Sequence, residues 1–251
     1  MDVLYRYLSY SEFLDIVKFK RLCLKYPGNW PDRLEMFFLK NFDSNESTND
    51  LFLKYKAVHC GYTDTQVYND LQILSALLVK CRCQCWTHKE DDIHLWENRQ
   101  VRIGIQIETL DEMKEQADGR ILYHYDVNYV GEISNDLIIN TFELNGRRLC
   151  NLVKTKKSIF NYEDEHRLIL CPKDSSFKVS ASGLTYSEKL RNHFCGLLEE
   201  FIPNDCYIHF DSKKICDVKI NPYSKDCFCR IVESDCSNNE IPYSGKSCLI
   251  G

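Results

Sequence analysis

Hydrophobic and polar residues alternate along several short stretches of this chain, which is the pattern of β-strands. The clearest stretch is 101–108, where Val101, Ile103, Ile105 and Ile107 would share one face. Further strands, rich in β-favouring residues and bounded by turn residues, are predicted at 2–8, 22–24, 81–87, 120–130, 166–170, 206–210, 215–220 and 227–232.

Apolar residues spaced three and four apart predict helices between these strands. Ser11 would cap a first helix running from Glu12 to Lys20. Further helices are predicted at 34–42, 64–80, 132–148 and 186–200, and loops at 26–35, 41–50 and 172–176. The elements do not alternate regularly, so we predict an α+β fold with a single mixed, mostly antiparallel β-core and flanking helices.

Composition narrows the class of protein. A chain of 251 residues that is 44% hydrophobic can bury a sizeable core, which excludes disorder as its main state. We expect one domain over 1–251, with a catalytic core at 1–175 and a C-terminal helix and short strands at 176–251 packed on it. Neither a membrane span nor a signal peptide is apparent, so we expect a cytoplasmic protein with no membrane partner.

The net charge of −5 argues against nucleic-acid binding over the whole surface. A local basic groove is still open, with solvated charge as the simpler interpretation, at Arg147, Arg148, Lys154, Lys156 and Lys157.

Fourteen cysteines are many for a chain of this length. Because no secretory signal accompanies them, we expect mostly reduced thiols. Cys81, Cys83 and Cys85 alternate and would line one face of a strand. No second pair with zinc-ligand spacing follows, so thiols packed as small apolar groups are favoured and no metal site is predicted.

The chain contains no glycine-rich nucleotide motif and no serine-hydrolase motif. Two groups of residues are nevertheless candidates for ligand binding or catalysis, one on the first predicted strand and one at the end of the strand 81–87. The first is Tyr5-Arg6-Tyr7, where Arg6 can bind a phosphate or carboxylate with two hydrogen bonds unless it is an edge-strand arginine facing solvent. The second is Cys85-Trp86-Thr87, whose hydroxyl can hold a ribose or support a carboxylate, unless the tryptophan is simply core. Asp91, Asp92, Trp96 and Glu97 follow it closely.

A third group precedes the strand at 166–170. Glu163, Glu165 and Arg167 alternate, so they share one face if the segment is extended. The arginine would keep the two carboxylates ionised, and such a row can orient a ribose hydroxyl and stabilise a developing positive charge. An exposed ladder of ion pairs is the competing interpretation.

In the order and spacing of its motifs, the chain resembles a bacterial family known as domain of unknown function 2971. The matching pieces span most of the chain: LYRYLS, NWPDRLE, CWTHKEDDIHLWEN before VRIGIQIE, KSIFNYEDEHRL, INPYSKD and SGKSCLIG. The family tends to carry a tryptophan where Phe160 stands, and Trp-x-x-Tyr where this chain has residues 96–99.

That family resembles ADP-ribosyltransferases in layout, which implies NAD as the substrate. The resemblance assigns Arg6, Thr87 and Glu165 to the three characteristic positions, with Glu163 two residues earlier. It implies catalytic roles for Glu165, Glu163 and Thr87. It implies that the NAD-binding residues are Arg6, Tyr7, Trp86 and Arg167.

The implied reaction transfers ADP-ribose to a macromolecular acceptor, either protein, RNA or DNA, in a toxin or phage-defence setting. An inhibitory antitoxin partner is then expected. Two alternatives remain, a non-catalytic nucleotide- or protein-binding sensor module and a cysteine-based metal or redox protein. The enzyme interpretation requires Glu163 and Glu165 to face a cleft together with Arg6.

Overall fold

The computed structural model describes residues 2–30, 52–53, 56–57, 60–67, 79–113, 120–131, 153–171, 203 and 205–248. Its strands are β1 Val3–Leu8, β2 Arg21–Lys25, β3 Arg82–Thr87, β4 Val101–Gln106, β5 Ile121–Asp126, β6 Asn128–Val130, β7 Thr155–Lys157, β8 Glu165–Cys171, β9 Asp205–His209 and β10 Ile215–Ile220. Its α-helices are α1 Tyr10–Phe19, α2 Glu108–Glu112 and α3 Asp226–Asn238. Short 3-10 helices cover Pro27–Asn29, Ser158–Glu163 and Ser212–Lys214.

Eight of these strands form one sheet in which every described pairing is antiparallel. One path through it runs β10-β4-β1-β3-β2-β9, and β8 pairs with both β3 and β5. A separate parallel pair joins β6 to β7. This confirms the predicted α+β class with a mostly antiparallel sheet. Strands β9 and β10, from the last part of the chain, belong to the same sheet as β1.

The sheet opens beside β3. Along one edge, β3 pairs with β8 from Arg82 to Thr87. Along the other edge, the described pairings are only Thr87 with Tyr5 of β1 and Cys83 with Lys25 of β2. Strands β1 and β2 therefore meet β3 at opposite ends and diverge between those points, which leaves a gap in the middle of the sheet.

The hydrophobic core lies on one face of the sheet, against α1 and α3. From α1, Phe13, Ile16 and Val17 point inward, and α3 contributes Val232 and Cys236. The sheet supplies alternate residues of its strands, including Leu4, Leu8, Leu22, Leu24, Ile103, Ile105, Leu168 and Leu170. Within the described part of the chain, no helix combines the length and apolar character needed to cross a bilayer.

Two predictions are wrong, the cap residue of the first helix and one strand. Helix α1 begins at Tyr10, and its cap is Ser9, which forms a capping box with Glu12; Ser11 is inside the helix. The predicted strand at 227–232 is the start of α3, because Phe228, Cys229, Val232 and Cys236 reach the core at helical spacing.

Some of the remaining predictions fall within the described residues and can be compared with the structure, and the others do not. Most other predicted strands are confirmed with shifted ends, and 120–130 is divided into β5 and β6. The elements predicted at 34–42, 41–50, 132–148, 172–176 and 186–200 lie outside the described residues, as does most of 64–80.

Candidate functional site

A cleft of about 540 Å³ occupies the opening between β1, β2 and β3. Its lining combines four cationic with three anionic side chains, namely Arg6, Lys25, Arg99, Lys156, Glu12, Glu163 and Glu165. Aromatic rings of Tyr5, Tyr7 and Trp30 and the hydroxyl-bearing Thr87 complete much of the wall. The size suits a small organic ligand, and the charges suit one that carries negative groups.

Glu165 lines this cleft and is almost completely buried. Its Oε1 accepts a hydrogen bond from Arg167 Nε at 2.7 Å, and its Oε2 accepts from Arg167 Nη2 and Lys156 Nζ, each at 3.1 Å. The Glu165 main-chain N–H donates to the Tyr129 hydroxyl at 2.9 Å. The carboxylate is therefore held in one orientation from several sides.

Its surroundings keep Glu165 ionised. Burial opposes ionisation, but the charge and hydrogen bonds of Arg167, together with the charge of Lys156, outweigh it and lower the pKa to about 2. At neutral pH this carboxyl is thus a hydrogen-bond acceptor and a fixed negative charge. It cannot serve as a general acid there, because no proton is left to donate.

Glu163 meets Glu165 through Lys156, whose Nζ donates to Glu163 Oε2 at 2.7 Å. The Glu163 side chain is 23% exposed, against 4% for Glu165, so it is the carboxylate nearer to solvent. It does not lie on an extended segment, as the alternation suggested, but ends the 3-10 helix Ser158–Glu163. Thr87 fixes that end, since its Oγ1 donates to the Glu163 carbonyl at 2.7 Å.

The cleft wall also carries a group of cationic side chains around Glu12. The Glu12 carboxylate, at the first turn of α1, lies within 4.0 Å of the guanidinium of Arg6, within 3.7 Å of Lys25 Nζ and within 3.2 Å of Arg99 Nη1. Three cations thus surround one anion. We name Arg6, Lys25, Arg99 and Glu12 the cationic cluster. Its excess positive charge favours an anionic ligand.

Arg6 also secures the opening in the sheet. Its Nη1 donates to the carbonyl of Cys85, which lies between the two points where β3 meets β1 and β2. β1 is an interior strand, paired with β4 along its length, so the edge-strand interpretation of Arg6 does not hold. The arginine instead crosses the gap, with its side chain 15% exposed.

Three other residues implied for NAD binding have their polar groups engaged within the protein. Tyr7 is largely buried, donates from its hydroxyl to the Glu90 carbonyl at 2.8 Å and packs edge-on against Trp96. Trp86 lines the cleft but belongs to the hydrophobic core, and its indole N–H donates to Gln84 at 3.0 Å. Arg167 is fully buried against Glu165, the Val153 carbonyl and the ring of Trp30. Its geometry indicates a positioning role.

The acidic loop after Thr87 packs beside the cleft. Asp91 approaches the buried Arg102 at 3.6 Å and accepts a hydrogen bond from Trp96 Nε1 at 3.3 Å. Asp92 pairs with Lys89 at 3.0 Å, and Glu97 is exposed. Leu95 and Arg99 are the residues of this loop that reach the cleft wall.

The described cysteines are free thiols. Cys81 and Cys83 are buried, and a hydrogen bond with Cys171 together with burial raises the pKa of Cys81. Buried, protonated thiols fit the packing interpretation for Cys81 and Cys83, whereas Cys85 is partly exposed, lines the cleft and forms a hydrogen bond with the Glu165 side chain. Of the predicted basic groove, Lys156 is buried in the site and Lys154 lies over the ring of Tyr125, while Arg147 and Arg148 are outside the described residues.

Sequence reasoning missed most of the cationic cluster and the roles of Trp30 and Tyr129. The spacing of Ser9 and Glu12 was a usable signal, since it marks the helix start that brings Glu12 to the cleft. Lys25 and Arg99 carried no local signal.

No protein-family model matches the chain. No curated protein matches it. No solved structure matches it either.

Proposed function

We propose that this chain binds NAD in the cleft and transfers its ADP-ribose to a macromolecular acceptor, a protein side chain or a nucleic-acid base. One observation carries the proposal: Arg6, Thr87, Glu163 and Glu165 come from three distant segments and line the same cleft. These are the residues that the resemblance to ADP-ribosyltransferases singles out, and their convergence is the condition that the enzyme interpretation had to meet.

The charged groups of the cleft suit two parts of such a substrate. The diphosphate belongs against the cationic cluster, where Arg6, Lys25 and Arg99 outnumber the single carboxylate of Glu12. The nicotinamide-bearing ribose then lies toward Glu163 and Glu165. Both groups of residues line one cavity of about 540 Å³, which is within the range of ligand sites.

The carboxylates of Glu163 and Glu165 suit cleavage of the bond between nicotinamide and the ribose. When the bond between nicotinamide and ribose C1′ breaks, its electron pair leaves with nicotinamide and positive charge develops on the sugar. An ionised Glu165, fixed by Arg167 and Lys156, accepts a hydrogen bond from the ribose without reorganising. Glu163, nearer to solvent, orients the acceptor nucleophile that forms the new bond to C1′.

A second candidate function has an observation in its favour. Both oxygens of Glu165 already accept hydrogen bonds from cationic partners, which offsets the negative charge that would stabilise the sugar. This favours a non-catalytic nucleotide-binding module that uses the same cleft. The two functions share ligand binding and differ only in turnover.

Glu163→Gln provides the test, because Glu163 is partly exposed and its change leaves the buried Glu165–Arg167 pair in place. The purified chain is incubated with labelled NAD and cell extract, and free nicotinamide and label in the protein, RNA and DNA fractions are measured. We expect label in one fraction, and a loss of at least about 100-fold in Glu163→Gln. Glu108→Gln, at an exposed glutamate outside the cleft, is the matched control.

Other outcomes of the same experiment would distinguish the enzyme from the binding module. Saturable NAD binding without nicotinamide release would support the binding module and overturn the enzyme. A folded protein that neither binds NAD nor releases nicotinamide would overturn both the enzyme and the binding module. Because a toxin must be silenced in its own cell, the enzyme would also require an inhibitory protein partner, which we expect to suppress labelling when added in equimolar amount.

A further inference from the structure

A chain of histidine and aspartate side chains lies on the other face of the sheet from Glu165. The Asp126 Oδ1 atom is 2.8 Å from His88 Nε2 and 2.6 Å from His166 Nδ1. His166 Nε2 is 3.0 Å from His124 Nδ1, and His124 Nε2 is 3.0 Å from Asp111 Oδ1. We name these five residues the histidine cluster. None of them lines the cleft.

The sheet brings the cluster together. Asp126 of β5 is the register partner of His166 on β8, and both therefore point to the same face. His124 shares that face, two residues before Asp126, and His88 directly follows β3. Glu165 and His166 are consecutive on β8, so their side chains point to opposite faces.

We propose that His88, His166 and Asp126 bind a zinc ion. Two imidazoles and a carboxylate are a ligand set that Zn²⁺ accepts, with a water in the fourth position. The three ligand atoms already lie within 4.8 Å of one another. In a tetrahedral zinc site, adjacent ligand atoms are about 3.3 Å apart, so the side chains need to move by about 1 Å or less to admit the ion.

The hydrogen bonds around His166 are compatible with a cation at its Nδ1 atom. The contacts Asp126–His166, His166–His124 and His124–Asp111 need three N–H protons, whereas two neutral imidazole rings carry two. An imidazolium ring would supply the third proton, and a metal ion at Nδ1 would remove the need for it. His166 then donates from Nε2 to His124, and His124 donates from Nε2 to Asp111, which satisfies every group.

This arrangement matches the way that metal-binding histidines are supported in proteins, since the ring nitrogen away from the metal usually donates to a further acceptor. The burial is also suitable. His166 is buried in the sheet, while the Asp126 side chain is 73% exposed and opens the site to ions from solvent. His124 is a positioning residue in this proposal because it acts through His166.

The test is the zinc content and zinc affinity of the full chain. After exhaustive dialysis, elemental analysis is expected to give one zinc per chain, and His88→Ala is expected to abolish stoichiometric zinc. His124→Gln is expected to weaken zinc binding by about 10–100-fold, as loss of a supporting partner does. His94→Ala, at an exposed histidine outside the cluster, is expected to bind zinc like the unmodified chain.

Cysteines must be excluded as the ligands, so the bound zinc is also measured by X-ray absorption. Nitrogen and oxygen ligands give a first shell at about 2.0 Å, whereas thiolates give one at about 2.3 Å. A sulfur shell would overturn the proposal, as would stoichiometric iron in place of zinc. So would unchanged zinc in His88→Ala. Circular dichroism and the urea midpoint establish that each variant is folded, and metal-free protein with native spectra would also overturn it.

Discussion

Replacing Glu165 by glutamine tests the buried ion network and can be assigned a magnitude. The pKa of Glu165 falls from an ordinary 4.5 to about 2 in the folded protein. Each tenfold change in the acid constant corresponds to about 1.4 kcal/mol, so ionised Glu165 adds about 3 kcal/mol to the free energy of unfolding near neutral pH. Glu165→Gln is expected to lose that amount, because the amide keeps the shape but carries no charge for Arg167 and Lys156.

The dependence of this loss on pH follows from the same values. Because the folded-state pKa is depressed, the stabilisation is fully present above the unfolded value of 4.5 and disappears as the pH falls through about 2. The difference between the two proteins is therefore expected to shrink from about 3 kcal/mol at about pH 7 to about 1.4 kcal/mol at about pH 3. Comparison at equal pH removes the contributions of the other carboxyl groups.

The assay is urea unfolding followed by tryptophan fluorescence at a series of pH values, with free energies from linear extrapolation. Glu108→Gln, at an exposed carboxylate, is the control and is expected to stay within about 0.5 kcal/mol of the unmodified chain. A constant difference between pH 7 and pH 3, or none at all, would refute the argument. The result also bears on activity, since a loss of turnover in Glu165→Gln has meaning only after its stability is known.

Three further predictions concern the fold and are measured as shifts in the urea or thermal midpoint. Phe13→Ala is expected to cost about 3–5 kcal/mol because the ring is fully buried, whereas Phe19→Ala, at a ring 65% exposed, is expected to cost less than about 0.5 kcal/mol; equal losses would contradict the packing of α1. Ser9→Ala is expected to cost about 1 kcal/mol by removing the cap of α1, and a neutral result would refute the capping box. Arg102→Met is expected to cost about 3 kcal/mol, because Arg102 is buried against Asp217 and its removal leaves that carboxylate without its cation; an unchanged thermal midpoint would refute this.

Strands were predictable from the sequence where β-branched and aromatic residues alternate, and their order in the sheet was not. The alternation in 101–108 gives β4 correctly, but Arg102 and Gly104 on its other face are buried as well. Arg102 lies against Asp91 of the preceding loop and Asp217 of β10, and Gly104 lies against Tyr5 of β1. No local pattern reveals these contacts. At the start of α3 the sequence predicts a strand, because Phe228, Ile231 and Val232 favour strands locally. Contact with the core at helical spacing decides the outcome.

The residues of the candidate site were likewise predictable from the sequence only in part. Arg6, Thr87, Glu163 and Glu165 were predictable because each belongs to a short motif. Lys25 and Arg99 were not, since they approach Glu12 only through the pairing of β1 with β4 and the turn after α1. The histidine cluster was missed for a related reason. Its members come from α2, the residue after β3, β5 and β8, and the pairing of β8 with β3 and β5 brings most of them together.

Strand β8 carries Glu165 toward the cleft and His166 toward the histidine cluster, and it is paired on both sides. Because side chains alternate, a slip of one residue along β8 would exchange the two, with the imidazole in the cleft and the carboxylate behind it. A single-residue insertion or deletion within β8 would therefore displace Glu165 and His166 together. The cleft and the histidine cluster depend on one register, so neither can be realigned along β8 without the other.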